Sequence, residues 1–88
     1  MIRKVDRQFY MKDNLLHLSE ISTGQSAILK KIIGGHEIRQ RLTAMGLLPG
    51  QIILVVKNGH PGPLVVKVKE SKIVLGRGMS QKIKVEKI

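Results

Sequence analysis

Residues 38–50 read IRQRLTAMGLLPG, and this stretch predicts a short helix that stops at a defined place. Its apolar residues recur at helical spacing and share one face: Ile38, Leu42 and Met45. Gly46 can adopt the left-handed conformation that commonly follows a helix, and Pro49 prevents the helix from continuing. We therefore expect a helix that ends near Met45 and a turn that leads directly into a strand.

Most of the remaining pattern predicts short β-strands. In residues 64–69 every second residue is aliphatic, a period of two that indicates a half-buried strand. The run IILVV, residues 52–56, predicts a central strand that is covered on both faces. The expected strands are 26–33, with a bulge or strong twist, 51–57, 64–69, 72–75 and 83–86. The chain is therefore predicted to be mainly β, a small barrel of about five strands with one short α-helix between the first and second strands.

The composition indicates one small domain, which we place at residues 15–88. A chain of 88 residues has room for a single core. It contains no cysteine that could form a disulfide or a thiolate metal site, which suits a reducing cytosol. No stretch approaches the ~18 apolar residues needed to span a bilayer, and the charged first residues do not resemble a signal peptide. We expect a cytoplasmic protein.

The first fourteen residues differ from the rest of the chain. Residues 1–14 show no clear hydrophobic period and contain both aromatic residues, Phe9 and Tyr10. We interpret them as a flexible leader. Met11 lies just before the patterned region, so an alternative translation start at Met11 is a hypothesis.

The net charge of +10 indicates acidic partners, because sixteen Lys and Arg outnumber six Asp and Glu. Exposed faces of strands account for many of the lysines, which also discourage pairing between strand edges. Nucleic acid is one possible partner, but residues 15–88 contain no aromatic ring on which a base could stack. A basic barrel that binds nucleic acid or another anion is therefore the rival hypothesis.

No constellation of residues predicts catalysis. None of the histidines, His17, His36 and His60, has a second histidine or a cysteine at a metal-binding spacing, so we predict neither a metal site nor a cofactor. The phosphate-binding glycine loop and the nucleophile elbow are both absent from the sequence. We predict that the protein is not an enzyme.

Two sets of residues near the turns are candidates for function. Six residues are expected to set the shapes of turns: Gly46, Pro49, Gly50, Gly62, Pro63 and Gly76. Five others offer more apolar and guanidinium surface than closing a turn requires, which favours contact with a protein partner: Arg41, Met45, Leu47, Leu48 and Arg77. Met45 and Leu47 can contribute only where they are not buried.

Three motifs occur in a fixed order within residues 15–88. The block RLTAMGLLPG, residues 41–50, is followed by Gly62-Pro63 and then by Leu75-Gly76-Arg77. This arrangement resembles the ferrous iron transport protein A family, FeoA. The resemblance implies an SH3-like β-barrel and a cytosolic accessory to ferrous iron transport protein B, the membrane GTPase that imports ferrous iron. Met79-Ser80 departs from the family pattern, which often has alanine as the small residue after the L-G-R motif.

The resemblance leads to one functional expectation and leaves two alternatives open. We expect a protein-interaction module that docks on the cytoplasmic part of the transporter, and thereby at the inner face of the membrane, and influences its GTP cycle or assembly. The rival is the anion-binding barrel suggested by the net charge. A weaker alternative is an Fe(II)-responsive module that senses iron directly through His17, His36 or His60.

Overall fold

The computed structural model describes residues 15–59 and 61–88, which form an antiparallel sheet of six strands. The strands are β1 (Leu16–His17), β2 (Ser26–Ile32), β3 (Ile52–Lys57), β4 (Leu64–Val68), β5 (Ser71–Leu75) and β6 (Ile83–Lys87). Their order across the sheet is β1-β6-β2-β3-β4-β5. Helix α1 (His36–Ala44) connects β2 to β3, and a short helix α2 (Arg77–Ser80) separates β5 from β6. A single 3₁₀ turn (Leu18–Glu20) follows β1.

The prediction of a mainly β chain with one short helix between the first two predicted strands is confirmed. The expected number of strands was one too low, because β1 contains only two residues and two residues cannot display an alternation. Leu16 of β1 pairs with Val85 of β6, so tertiary pairing creates this strand. The predicted leader, residues 1–14 with Met11, lies outside the described residues, as does His60.

The end of α1 follows the pattern predicted for it. Gly46 has a φ of 93°, in the left-handed region, and its N–H donates to the carbonyl of Thr43 over 2.9 Å. The N–H of Leu47 donates to the carbonyl of Leu42 over 3.0 Å. These two bonds form the Schellman motif, which satisfies the last carbonyls of the helix and turns the chain back across it. The predicted helix end near Met45 is confirmed.

The core lies on the inner face of the sheet and is entirely aliphatic. Alternate residues of β3 and β4 point inward, and Leu42 of α1 belongs to the same buried cluster. A bulge between Leu29 and Lys31 shifts the register of β2 against β6, as predicted. The fully buried large residues are Leu18, Ile21, Leu29, Leu42, Leu47, Ile53, Leu64, Leu75, Ile83, Val55, Val66 and Val85.

The prediction that β3 is covered on both faces is wrong. Ile53 and Val55 are fully buried, but Ile52 remains 57% exposed and Leu54 36% exposed. In the described part of the chain, no element packs over the outer face of β3. Its unbroken apolar run therefore does not mark a strand between two layers, and the outer face of β3 becomes a candidate contact surface.

Candidate functional site

The residues predicted to contact a partner do not form a single surface. Arg41, Met45 and Leu48 are exposed on α1 and on the turn that follows it. Leu47 is fully buried, and Arg77 is partly buried at a different end of the sheet. The structure therefore brings three of the five residues to one region.

Leu47 belongs to the core. Its side chain packs in the buried cluster because the Schellman turn folds the chain back over the last turn of α1. The side chain has no accessible surface, so the expected role of Leu47 in partner contact is corrected to a structural role. Its neighbour Leu48 is 41% exposed and keeps the apolar surface that the prediction requires.

Arg77 holds the loop between β3 and β4. Its Nε donates to the carbonyl of Gly62 over 2.9 Å, and its Nη2 donates to the carbonyl of Gly59 over 3.0 Å. Hydrogen bonds from a charged donor are stronger than neutral ones, so the guanidinium ties two points of the loop together. Because two of its donor nitrogens are engaged in this way, Arg77 has a role within the fold that the sequence did not indicate.

The same end of the sheet carries a second polar tie, from Asn58. The Nδ2 group of Asn58 donates to the carbonyl of Ser19 over 3.0 Å and to the carbonyl of Ile21 over 2.7 Å. The backbone N–H of Asn58 donates to Oγ1 of Thr23 over 2.9 Å. Asn58 thus joins the β3–β4 loop to the segment around the 3₁₀ turn. The sequence had indicated only a loop residue at this position.

Arg77 and the exposed end of α1 lie at opposite ends of the β4–β5 hairpin. Leu64 pairs with Leu75 at the end next to Arg77, whereas Val68 pairs with Ser71 at the end next to Met45. The five residues of β4 span about 13 Å at ~3.3 Å per residue. A single contact patch centred on Met45 and Leu48 therefore does not include the guanidinium of Arg77.

An open groove runs along the outer face of β3 and β4, beside the turn that follows α1. Its volume is about 810 Å³. We call it the basic apolar groove, and it is lined by Leu48, Pro49, Gly50, Gln51, Ile52, Leu54, Lys67 and Lys69. A smaller depression adjoins it, and the two share Leu48, Gln51 and Lys69. Since Met45 lines that depression, the exposed end of α1 and the groove form one continuous surface.

One lysine of this surface faces another lysine across the β4–β5 hairpin. Lys67 of β4 lies directly opposite Lys72 of β5, and like charges in that position repel. Within residues 15–59 and 61–88 the ion pair found is between Lys30 and Glu86, at 3.3 Å and away from the groove. No carboxylate of the described residues therefore neutralises the lysines of the groove by a direct ion pair.

Lys69 occupies an unusual backbone conformation. It lies in the two-residue turn between β4 and β5, and its φ is 57°. Glycine and asparagine adopt this left-handed region readily, whereas a residue with a long side chain is uncommon there. The turn therefore positions an ammonium group at the rim of the groove in a conformation that costs backbone free energy.

The predicted turn residues lie where the chain changes direction. Pro49 and Gly50 line the groove, and the N–H of Gly50 donates to the carbonyl of Leu29 over 2.8 Å, which ties this turn to β2. Gly62 belongs to the loop that Arg77 holds, and Pro63 follows it. Gly76 is the N-cap of α2.

The described residues contain no group of three His, Cys, Asp or Glu side chains that could hold a metal ion. Nδ1 of His17 is buried and has no hydrogen-bond partner, while the backbone N–H of His17 donates to Oε1 of Glu20 over 2.8 Å. His36 is exposed at the start of α1. Among the helices of residues 15–59 and 61–88, none has the length and apolar character needed to cross a membrane.

The sequence pattern does not predict the groove. The apolar run of residues 52–56 predicts a strand covered on both faces, and the lysines of the strands are expected on exposed faces. The signal that could have revealed the groove is the position of Lys69 in a tight hairpin turn, where glycine is the usual residue.

A comparison with known protein families agrees with the fold and identifies similar proteins. The model of the FeoA domain matches residues 16–87. A protein of Methanocaldococcus jannaschii, described as a candidate Fe(2+) transport protein A, is 41% identical over 63 residues, which are 72% of this chain and 76% of that protein.

Two solved structures show the same architecture. The crystal structure of an iron uptake regulatory protein, FeoA, superimposes with a TM-score of 0.80 at 35% identity and covers 84% of this chain and 99% of that one. FeoA of Stenotrophomonas maltophilia, solved with zinc, is 25% identical with a TM-score of 0.72, and the match covers 81% of this chain and 89% of that one. That protein is described as an SH3 domain protein and as a candidate activating factor of ferrous iron transport. The SH3-like fold is confirmed.

Proposed function

Because the chain belongs to the FeoA family, we propose that it binds the cytoplasmic part of the membrane ferrous iron transporter GTPase, ferrous iron transport protein B, and modulates its activity or assembly. Members of the family take part in ferrous iron transport as accessory proteins. In this proposal the protein catalyses no reaction of its own. It works in the cytoplasm, at the inner face of the membrane, through its contact with the transporter.

The observation that carries the proposal is the exposed apolar surface at the end of α1. Met45 is 37% exposed although it continues the apolar face of the helix, and Leu48 is exposed beside it. Both sit on a turn that is fixed by backbone hydrogen bonds to the helix and to β2. The backbone of a rigid turn does not have to be ordered on binding, which favours a protein contact.

Arg41 adds a polar anchor to this surface. It is exposed one helical turn before Met45, so its guanidinium can offer forked donors to a carboxylate of the partner. The flexible thioether of Met45 can adapt to an irregular apolar partner. Arginine and methionine are enriched at protein interfaces, and Leu48 adds apolar area beside Arg41 and Met45.

The test measures binding to the isolated cytoplasmic domain of the transporter. Arg41→Ala and Leu48→Ala are expected to weaken binding by roughly tenfold, because truncating an anchor residue costs about 1–2 kcal/mol or more. Arg39→Ala is the matched control, since Arg39 is exposed on the same helix and lines a different depression. Equal affinities for wild type and Arg41→Ala would contradict the role of Arg41, and no binding by wild type would contradict the proposed function.

The net charge of +10 supports the rival hypothesis of an anion-binding barrel. A titration with random oligonucleotides at rising salt separates the two hypotheses. Binding by phosphate contacts alone weakens steeply as salt rises, so tight binding at physiological ionic strength would favour the rival. Anaerobic calorimetry with ferrous iron tests the third hypothesis, in which the histidines sense iron directly.

A further inference from the structure

We propose that the basic apolar groove binds an acidic, apolar polypeptide segment of the partner, one in which Asp or Glu side chains are interspersed with aliphatic ones. The inference rests on the proposed function for the identity of the protein that carries the segment. It adds the place where that segment binds and the chemistry that selects it.

The apolar part of the groove has the character of an unfilled interface. Ile52 and Leu54 stand on the outer face of β3, and Leu48 faces the same space from the turn after α1. All three are exposed in the described structure, with Ile52 the most accessible. Scattered exposed aliphatics are common, but a contiguous set within a concave groove is typical of a binding site.

The positive charges of the groove favour a partner segment with negative charge. Lys67 and Lys69 line it, and Lys72 lies opposite Lys67 on the adjacent strand. Lys67 and Lys72 repel each other, and none of the three lysines has a direct ion pair with a carboxylate of the described residues. A bound segment with carboxylates at its rim would relieve that repulsion, whereas a basic segment would increase it.

The backbone at Lys69 supports a binding role. A positive φ at a lysine costs free energy that a glycine or asparagine in the same turn would avoid. Glycine would fit the same turn without this cost. The observed conformation places the lysine side chain at the junction of the groove and the adjoining depression.

The shape of the surface favours a polypeptide over a lipid bilayer. The apolar residues lie in a concave groove that Leu48 and Pro49 line on the side of the turn. A bilayer presents a broad, flat surface, which fits a concave groove less well than a narrow polypeptide segment does. An extended or helical segment can enter the groove and place its apolar side chains against Ile52 and Leu54.

The experiment uses the full chain and a synthetic peptide of about ten residues, long enough to follow β3 at ~3.3 Å per residue. The peptide alternates glutamate with leucine and valine, and a matched peptide carries lysine in place of glutamate. We expect the acidic peptide to bind at about 0.15 M salt, and the basic peptide to bind at least about tenfold more weakly. Fluorescence anisotropy measures both affinities.

Two charge-reversal variants locate the binding site. Lys67→Glu combined with Lys69→Glu is expected to weaken binding of the acidic peptide at least about tenfold. Lys31→Glu combined with Lys87→Glu makes the same change in net charge at exposed positions outside the groove, and it is expected to retain affinity within about threefold. Leu54→Ser tests the apolar contribution and is expected to weaken binding without altering charge. Circular dichroism confirms that each variant is folded.

The outcomes separate this inference from the proposed function. Should wild type bind the transporter domain while the groove variant binds it equally well, the groove inference is overturned and the proposed function stands. If the acidic peptide binds in the groove but wild type does not bind the transporter domain, the preference of the groove for an acidic segment stands and the proposed function is overturned. Equal weakening by the two charge-reversal variants would overturn the groove as a specific site. Preference for phosphatidylglycerol vesicles or oligonucleotides over the acidic peptide would overturn the inference in the same way.

Discussion

The two ends of the β4–β5 hairpin are built in opposite ways. At one end, Asn58 and Arg77 use their side chains to satisfy backbone carbonyls of the neighbouring loops, and we call this the clamped end. At the other, Lys69 adopts a positive φ beside exposed aliphatic residues, and we call this the groove end. The polar groups of the clamped end stabilise the fold, whereas the groove end retains strain and repulsion that a bound partner would offset. Substitutions at the two ends should therefore separate stability from binding.

The largest expected effect is the difference in stability between the alanine variants of two adjacent leucines near the groove end. Leu47→Ala should lower the free energy of unfolding by about 2–5 kcal/mol, because it leaves a cavity in the core. Leu48→Ala should change it by no more than about 0.5 kcal/mol, since Leu48 is exposed, while weakening partner binding. Urea denaturation measures both stabilities. A similar loss of stability in the two variants would contradict the division between core and contact surface.

The next largest expected effect is a loss of stability in variants of Asn58, at the clamped end. Asn58→Ala should destabilise the protein by about 2 kcal/mol, because the carbonyls of Ser19 and Ile21 lose their donor in a partly buried position. Asn58→Asp keeps the shape but places a carboxylate beside two carbonyl oxygens, so it should be at least as destabilising. Urea denaturation again gives the free energies. Partner binding by the folded fraction should not change. Weaker binding by the folded fraction would contradict the claim that the clamped end does not contact the partner.

Arg77 and Arg41 form a matched pair across the hairpin. Arg77→Ala should lower the free energy of unfolding by about 1 kcal/mol, since one of its two hydrogen bonds is exposed to solvent. It should leave binding to the transporter domain unchanged. Arg41→Ala should do the reverse, with unchanged stability and weaker binding. Urea denaturation and binding to the transporter domain are measured on both variants. Weaker binding by Arg77→Ala alone would support the predicted contact between Arg77 and the partner.

The smallest effect is a gain of stability at the groove end. Lys69→Gly should raise the free energy of unfolding by up to about 1 kcal/mol, because glycine relieves the strain of the positive φ. The greater freedom of glycine in the unfolded chain reduces this gain. The same variant should bind the acidic peptide more weakly. Thermal denaturation that shows a lower midpoint for Lys69→Gly would contradict the presence of strain.

The elements of the fold could be predicted where local sequence determines them. Gly46 and Pro49 specify the end of α1, and the alternation of aliphatic residues with lysines specifies β4, because these signals depend on neighbours in the chain. Strand β1 could not be predicted, since its two residues form a strand only by pairing with β6. The apolar run of β3 indicated a strand but could not show which face is covered.

The candidate site was predicted only in part, for a similar reason. Arg41, Met45 and Leu48 lie together because they belong to one helix end and its turn. Arg77 was grouped with them from its residue type, although its partners, Gly59 and Gly62, lie at the far end of the hairpin. Such tertiary hydrogen bonds leave no periodic signal in the sequence. In the sequence, Lys67 resembles an ordinary exposed lysine, and only the register of β4 and β5 places it opposite Lys72.

In this proposal the groove end binds the partner and the clamped end does not. The most direct test is to add the cytoplasmic domain of the transporter to ¹⁵N-labelled protein and follow the backbone amide signals by NMR. We predict that the signals of Leu48, Ile52 and Lys67 shift or broaden while those of Asn58 and Arg77 stay in place. Shifts concentrated at Asn58 and Arg77, with the groove signals unchanged, would contradict the account.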